Sequence, residues 1–204
     1  MEDQAVALHE LAGEIAVCPK CDLAKTRTNA VPGEGSPSAD IVFIGEGPGF
    51  YEDQQARPFI GPAGKFLDEL LGSIGLRRQD VYICNVIKCR PPNNRDPLPG
   101  EIAECRPWLD RQLEIIRPKV IVTLGRFSMS RYFQGQSISR IHGQPKRVDG
   151  VLVVPMYHPA AALHQGSLRR TIEQDFRKLP GLLAEALIDD AKPKEPEPVQ
   201  IPLL

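Results

Sequence analysis

Asp40-Ile-Val-Phe-Ile-Gly-Glu-Gly-Pro-Gly49 is the stretch that sets the expected fold. Its four consecutive apolar residues predict a short strand that is buried on both faces, as in a parallel sheet. The glycines that follow predict a tight turn at the carboxyl end of this strand. Functional groups of open α/β sheets lie at that end, so we expect a site beside residues 45–49.

Strand and helix patterns alternate along the rest of the chain. Apolar runs predict further strands over 81–87, 120–124 and 151–156, and helical periodicity predicts helices over 4–16, 62–73, 99–116, 126–133 and 168–188. This alternation predicts one α/β domain over residues 1–188, with three α/β/α layers around a central, mostly parallel four-stranded sheet. Residues 189–204 are rich in proline and charge, and we expect a disordered tail there.

The charge of the chain is compatible with a DNA partner, and its hydropathy argues against a membrane protein. The chain of 204 residues has a net charge of −1, but five acidic and two basic residues lie within 184–200. The remainder has 23 basic and 21 acidic residues, which is compatible with a local basic face. Because we find neither a basic-then-apolar leader nor a long apolar run, we expect a cytoplasmic protein without a membrane partner.

Four of the five cysteines are spaced as metal ligands. Cys18-Pro-Lys-Cys21 is a C-x2-C pair, and Cys89 and Cys105 form a wider pair. Because the cytosol keeps thiols reduced, four thiolates favour zinc or an iron–sulfur cluster over disulfides. The wide spacing of the second pair slightly favours an iron–sulfur cluster over zinc. The third interpretation is that the four cysteines are unrelated residues of the core. Cys84 falls inside a predicted strand, so we expect a buried apolar role for it.

Several motifs follow predicted strands or turns. They are Gly45-Glu-Gly-Pro-Gly49 with Glu52-Asp53, Arg57-Pro-Phe-Ile-Gly-Pro-Ala-Gly64, Cys84-Asn-Val-Ile-Lys-Cys-Arg-Pro-Pro92 and Tyr157-His-Pro-Ala160. The first loop lacks the lysine of a P-loop and the spacing of a dinucleotide fingerprint, which argues against such nucleotide binding. Taken together and in this order, the motifs closely resemble those of the family 4 uracil-DNA glycosylases over about residues 15–180.

The resemblance implies an enzyme of base excision repair. Such an enzyme flips uracil out of single- or double-stranded DNA and hydrolyses its N-glycosidic bond, leaving an abasic site. No lysine stands at a motif position suited to Schiff-base attack, so we expect a monofunctional hydrolase. We also expect the protein to be a monomer. The resemblance also implies that Cys18, Cys21, Cys89 and Cys105 hold a 4Fe–4S cluster instead of zinc.

The resemblance assigns the uracil site to three side chains and one loop. Phe59 resembles the family's stacking aromatic, Asn85 its amide that reads the uracil edge, and His158 its histidine aimed at a uracil carbonyl. An amide donates and accepts at once, so it suits uracil and mispairs with cytosine. The residues expected to bind uracil are Glu46, Gly47, Pro48, Gly49, Phe59, Asn85 and His158.

The carboxylate that positions the water is less clearly marked. Better-known uracil glycosylases have an aspartate at the position of Gly47 in this chain. The candidates are therefore Glu46 and Glu52. We favour Glu46 for orienting water, with Glu52 in support; an exposed, solvated Glu52 is the alternative.

The segment after His158 is expected to contact DNA. Leu163 is the candidate for an apolar wedge that fills the gap left by the flipped base. Arg169 and Arg170 are candidate phosphate contacts, although a solvated helix face fits them equally well. Relatives often carry a larger apolar residue and an arginine at the positions of Ala162 and His164. The identity of the wedge residue is therefore left open.

Two other functions fit parts of the pattern. A non-catalytic DNA-binding module with zinc or a cluster would not need the set Glu46, Phe59, Asn85 and His158. A glycosylase for hypoxanthine or G/T mismatches is the second alternative, and Asn85 favours uracil over both. A related branch that traps DNA covalently uses a histidine in an inserted loop, and residues 90–98 contain none.

The end of the chain has a motif of its own. Gln200-Ile-Pro-Leu-Leu204 resembles the short Gln-led apolar motifs by which repair proteins dock on a bacterial sliding clamp. An apolar end without a function is the alternative, so the sequence offers a sliding clamp as a second candidate partner beside DNA.

Overall fold

A computed structural model of the chain describes residues 2–190. The strands are β1 (Glu34–Gly35), β2 (Ile41–Gly45), β3 (Tyr82–Asn85), β4 (Val120–Leu124), β5 (Lys146–Val148) and β6 (Val151–Met156). The helices are α1 (Glu2–Ala16), α2 (Phe50–Gln55), α3 (Pro62–Ser73), α4 (Pro99–Ile116), α5 (Arg126–Ser130), α6 (Ile138–Ile141), α7 (Pro159–His164), α8 (Leu168–Phe176) and α9 (Leu179–Asp190). Within residues 2–190, no helix is both long and apolar enough to cross a membrane.

The sheet has six strands in the order β1-β3-β2-β4-β6-β5. The four central strands are parallel, as predicted, and β1 and β5 add antiparallel edges. The predicted count of four strands is therefore wrong. The two edge strands have two and three residues and no buried position, so they leave no apolar run in the sequence.

Helices cover both faces of the sheet, and alternate residues of each strand supply the two cores. In β2, Ile41 and Phe43 face the core formed with α3, α8 and α9, whereas Val42 and Ile44 face the core formed with α1 and α4. All five residues of β2 are buried. Because side chains alternate across a strand, a strand covered on both faces must be apolar throughout.

Some helix boundaries differ from the predictions. The pattern over 168–188 forms two helices, α8 and α9, with a break before Pro180, which lies at the start of α9. The second of them includes residues 189 and 190, which we had assigned to the tail. Residues 191–204, with the candidate clamp motif at 200–204, lie outside the described residues, so clamp docking stays a prediction.

Candidate active site

The parallel strands end at one edge of the sheet, where a cleft of about 480 Å³ opens. Gly45 ends β2, Asn85 ends β3, and His158 follows shortly after β6. The lining contains all seven residues expected to bind uracil together with Glu52, and it is completed by Ala63, Ile87, Pro91, Asn94, Arg95, Asp96, Pro97, Ala160 and His164. The structure thus brings the separate sequence motifs into one site.

Glycine at position 45 lets two of the expected side chains meet at the end of β2. A Cβ atom on Gly45 would overlap Asn85 Oδ1 and would lie 2.6 Å from two carbon atoms of the Phe59 ring. Gly45 and Asn85 are also paired in register across β2 and β3. Any larger residue at position 45 would displace the amide or the ring.

The Asn85 side chain carries an acceptor that no group in the described part of the chain uses. Asn85 is 1% exposed, and its Oδ1 atom has no hydrogen-bond partner within residues 2–190. A buried acceptor without a partner costs free energy unless a ligand or a water molecule supplies a donor. The cleft therefore presents an amide that is ready to accept a hydrogen bond from a ligand.

A buried lysine supports the backbone of Asn85. Lys88 is 1% exposed, and its Nζ donates to the backbone oxygen of Asn85 at 2.8 Å and to Gln112 Oε1 at 2.6 Å. Gln112 donates in turn to the Tyr82 hydroxyl at 3.1 Å and to the backbone oxygen of Pro32 at 2.9 Å. Sequence reasoning missed this network, because lysine is rarely fully buried and nothing in the local pattern marks Lys88.

The Phe59 ring is held by a strained turn. Phe59 has a φ of +52°, which non-glycine residues seldom adopt, and its side chain is 5% exposed. Arg78 donates to the backbone oxygens of Pro58 at 2.5 Å and Phe59 at 3.0 Å. A Cβ atom on Gly64 would overlap the backbone oxygen of Phe59. Strain of this kind persists only where the surroundings fix it, and here Arg78 and Gly64 do so.

His158 stacks against Phe59 and is neutral at neutral pH. The two ring centroids are 5.3 Å apart and the planes are inclined by 23°. Nδ1 of His158 accepts from the backbone N–H of Ala160 at 3.1 Å, so the proton of the neutral ring is on Nε2. Desolvation by the surrounding protein lowers the pKa of His158 to about 4, and the Glu52 carboxylate opposes that effect in part.

Glu46 is anchored at the turn that follows β4. Its Oε1 accepts from the backbone N–H of Phe127 at 3.2 Å, and a Cβ atom on Gly125 would overlap that oxygen. Desolvation raises the pKa of Glu46, while the backbone N–H groups of Phe127 and Arg126 and the charge of Arg126 act in the opposite direction. Glu46 is thus a half-buried carboxylate with a fixed position in the cleft.

Glu52 joins two loops of the site. Its Oε2 accepts from the backbone N–H of Gly49 at 3.1 Å, and its Oε1 accepts from those of Ile60 and Gly61, both at 2.9 Å. The side chain is half-buried, so the alternative of an exposed, solvated Glu52 is not what the structure has. Both oxygens are occupied by backbone donors, which fixes the loop after β2 against the turn before α3.

Comparison with known proteins agrees with this geometry. The family model of the uracil DNA glycosylase superfamily matches residues 32–179. Type-4 uracil-DNA glycosylases of Archaeoglobus fulgidus, Sulfurisphaera tokodaii and Saccharolobus solfataricus are 52%, 49% and 50% identical to this chain. The aligned parts span 85%, 85% and 83% of this chain and 92%, 83% and 83% of the relatives.

The chain belongs to the type-4 uracil-DNA glycosylases. The family predicted from the motifs is thereby confirmed, and so is the α/β fold class predicted from the alternation of strands and helices.

In this type-4 chain the four predicted ligand cysteines lie around one small cavity. Cys18, Cys21, Cys89 and Cys105 line it, and three of them accept hydrogen bonds at sulfur. The donors are Trp108 Nε1 to Cys18 at 3.3 Å, Arg27 to Cys89 at 3.0 Å and the backbone N–H of Lys88 to Cys105 at 3.2 Å. Cys84 lies elsewhere, fully buried in β3.

The chemistry of this donor set fits an anionic sulfur site. N–H donors to sulfur stabilise thiolates and the sulfurs of clusters. Burial acts against the thiolates: it raises the pKa of Cys105 to about 11, and it also raises that of Cys89 against the opposing effect of Arg27. A bound cation would supply the charge that offsets this cost. Within the described residues, no three His, Cys, Asp or Glu side chains form a group that could hold a single metal ion.

The residues predicted to contact DNA occupy different environments. Leu163 on α7 is 51% exposed, and His164 beside it lines the cleft. Arg169 pairs with Glu69 at 2.5 Å and Glu173 at 3.1 Å, whereas Arg170 is exposed on the same helix. Arg169 would have to exchange its carboxylates for a phosphate, so Arg170 is the better placed of the two.

We expect the His158 ring of the folded protein to titrate with a pKa of about 4. Because the unfolded ring takes up its proton at a higher pH, the stability that the neutral ring contributes is lost as the pH falls from about 6.5 toward 4. NMR spectra of ¹⁵N-histidine-labelled protein, compared with the urea-unfolded chain, measure both values. An ordinary histidine pKa for His158 in the folded protein would contradict this.

Proposed function

We propose that this chain extrudes uracil from DNA and hydrolyses its N-glycosidic bond, leaving an abasic site for base excision repair. The observation that carries the proposal is the meeting of the Phe59 ring and the Asn85 amide at Gly45, in a chain whose relatives are named uracil-DNA glycosylases. A flat apolar ring beside an open polar acceptor suits a planar base with a polar edge. We also propose that the enzyme acts as a monomer and works in the cytoplasm.

Asn85 supplies the base recognition. Uracil has an N–H donor between two carbonyl acceptors, so Oδ1 of Asn85 accepts from the ring N–H while the amide nitrogen donates to a carbonyl. Cytosine has the reverse pattern at those positions and leaves the amide mispaired. The unused, buried Oδ1 atom supports this role, because a partner that supplies a donor there removes an existing desolvation cost.

His158 stabilises the departing base. Breaking the glycosidic bond leaves negative charge on uracil, and a donor fixed near a uracil carbonyl favours that charge. The Nδ1 atom is occupied by Ala160, so Nε2–H is the donor available to the base. A neutral imidazole needs no change of protonation to act between pH 5 and 8, since its pKa is about 4.

Glu46 is our choice for the carboxylate that orients water and faces the positive charge on the sugar. Its position at the turn after β4 is fixed by Phe127, and it lines the cleft. Both oxygens of Glu52 already accept backbone N–H groups, which supports a positioning role for Glu52. None of the described cleft residues is a lysine, which supports direct hydrolysis without a Schiff base.

We assign the DNA contacts to exposed side chains of α7 and α8, the two helices that follow His158. Leu163, 51% exposed on α7, suits a wedge that enters the space left by the flipped base. Arg170 is the favoured phosphate contact, with Arg169 as the second. These three residues would place the strand across the cleft entrance next to His164.

We also propose that Cys18, Cys21, Cys89 and Cys105 hold a 4Fe–4S cluster. The four thiols line one small cavity, and three of their sulfurs accept N–H donors, as the sulfurs of clusters do. When bound, the cluster would serve as a cross-link between the end of α1, the loop 90–98 and α4. That loop contributes residues to the cleft, so the cross-link would stiffen one of its walls.

Asn85→Ala and His158→Ala should each lower kcat/KM for uracil release by about 100-fold or more, because each removes an interaction with the reacting base. Excision is measured on oligonucleotides with one uracil, and parallel substrates with a G/T mismatch or hypoxanthine test the other specificities. His9→Ala, an exposed histidine on α1, is the control. Wild-type rates in a variant would remove that residue from the mechanism.

Glu46→Gln should lower the excision rate and should remove the decrease of that rate at acidic pH. The raised pKa of Glu46 means that its carboxylate is lost at a higher pH than an ordinary glutamate as the pH falls. Wild-type kcat/KM should therefore decrease as the pH is lowered from neutral, and the variant should lack this acidic limb of the pH profile. Glu52→Gln is the comparison, and we expect it to retain the limb. An unchanged limb in Glu46→Gln would contradict the role of Glu46.

The cluster proposal predicts a brown protein with about four iron and four sulfide ions per chain. Cys89→Ser should lose colour and iron, and visible absorption together with metal analysis measures both. Cys84→Ala, a buried cysteine outside the site, is the matched control and should keep its iron. Fully active protein that contains zinc and no iron would contradict the proposal.

A further inference from the structure

Two neighbouring aromatic side chains are exposed at the start of α2. Phe50 is 50% exposed and Tyr51 is 54% exposed, and no other aromatic residue of the described chain is exposed to this degree. Aromatic side chains normally bury most of their surface, so adjacent exposed rings mark a surface that binds something. The site described above uses neither ring.

The pair lies at the entrance of the cleft. Phe50 directly follows Gly49, a lining residue, and Tyr51 Cδ2 would be 3.2 Å from a Cβ atom on Gly61 in the turn before α3. On the other side, the Arg90 guanidinium lies 5.1 Å from the centre of the Phe50 ring. The two rings therefore bridge the surface between the turn at Gly61 and the loop 90–98.

The arrangement of the rings is fixed by their neighbours. Phe50 and Tyr51 pack edge to face, with centroids 5.6 Å apart and planes inclined by 80°. Arg90 is itself oriented by a hydrogen bond from Nε to Asn94 Oδ1 at 2.7 Å, and Asn94 lines the cleft. Arg90 covers one face of Phe50, and both rings are still half-exposed beside this positive charge.

We propose that Phe50 and Tyr51 form an aromatic platform on which the unpaired base next to the extruded uracil stacks against the face of one ring, with Arg90 beside the phosphate backbone. This inference rests on the proposed function. Aromatic faces bind bases of single-stranded nucleic acid with little sequence preference, and an arginine beside them adds charge complementarity. In a duplex, the neighbouring base is already stacked and paired, so the platform acts on single-stranded substrate.

The test compares Phe50→Ser/Tyr51→Ser with wild-type protein on one uracil oligonucleotide, used single-stranded and annealed to its complement. The KM for the single strand should rise about ten-fold or more, as expected for the loss of base stacking, and the KM for the duplex should change much less. Val6→Ser, which alters a residue 54% exposed on α1, is the control for lost exposed apolar surface. Phe50→Tyr/Tyr51→Phe keeps both rings and should behave as wild type.

Changing the substrate separates stacking from other effects. A tetrahydrofuran residue replaces the base on the 5′ or the 3′ side of uracil in the single strand. On one side, this should raise the wild-type KM as much as the double serine variant does, and the variant should lose nothing further, since the two changes remove the same contact. Thermal unfolding and Ki for free uracil verify that the variant keeps its fold and pocket.

Two results would overturn the platform. One is an equal change of KM for single strand and duplex, or no change for either, which would also be the result if the rings bound a protein partner. The other is an additive loss in the variant with both tetrahydrofuran substrates. Wild-type protein that releases uracil from neither strand form would refute the proposed function itself, so the two failures are distinguishable.

Discussion

The missing side chain at Gly45 is the constraint on which the cleft depends. Asn85 and Phe59 reach the end of β2 because no Cβ atom stands there, and a methyl group would overlap the amide oxygen. Glycine is thus needed for space and not for an unusual backbone angle. The apolar run of β2 buries the strand on both faces, and the single glycine at its end leaves room for two side chains from other motifs.

The parts of the site are held in place before any ligand binds. Arg78 fixes the strained turn of Phe59, Glu52 joins two loops through their N–H groups, and Lys88 supports the backbone of Asn85. Binding groups that are fixed in advance lose little conformational entropy when a ligand arrives. Many of the buried polar side chains around the cleft therefore hold other groups in position, and only a few polar atoms are left to bind the base.

The pKa values of two titratable groups in the cleft are shifted in opposite directions. Desolvation keeps His158 neutral to about pH 4, and it also raises the pKa of Glu46. At neutral pH the site then combines an uncharged donor with a carboxylate, which suits the leaving anion on one side and the positive sugar on the other. The same physical cause, burial beside the sheet edge, sets both states.

The sequence by itself determined the parallel core and the α/β layers, because apolar periodicity is a local property of the chain. The motifs and their resemblance to a known family indicated the cysteine set and the residues expected to bind uracil, whereas other lining residues, such as Asp96, became apparent only in the fold. Only the tertiary structure showed that β1 and β5 pair as polar edge strands, that α8 and α9 are separate helices, and which backbone groups Arg78, Lys88 and Glu52 hold in place. The roles of Arg78 and Lys88 depend on partners distant in sequence, such as Gln112 for Lys88, and the role of Glu52 depends on how the fold brings two loops together. A charged side chain looks the same in a sequence whether water or the protein interior surrounds it; only folding fixes which of its hydrogen bonds are made.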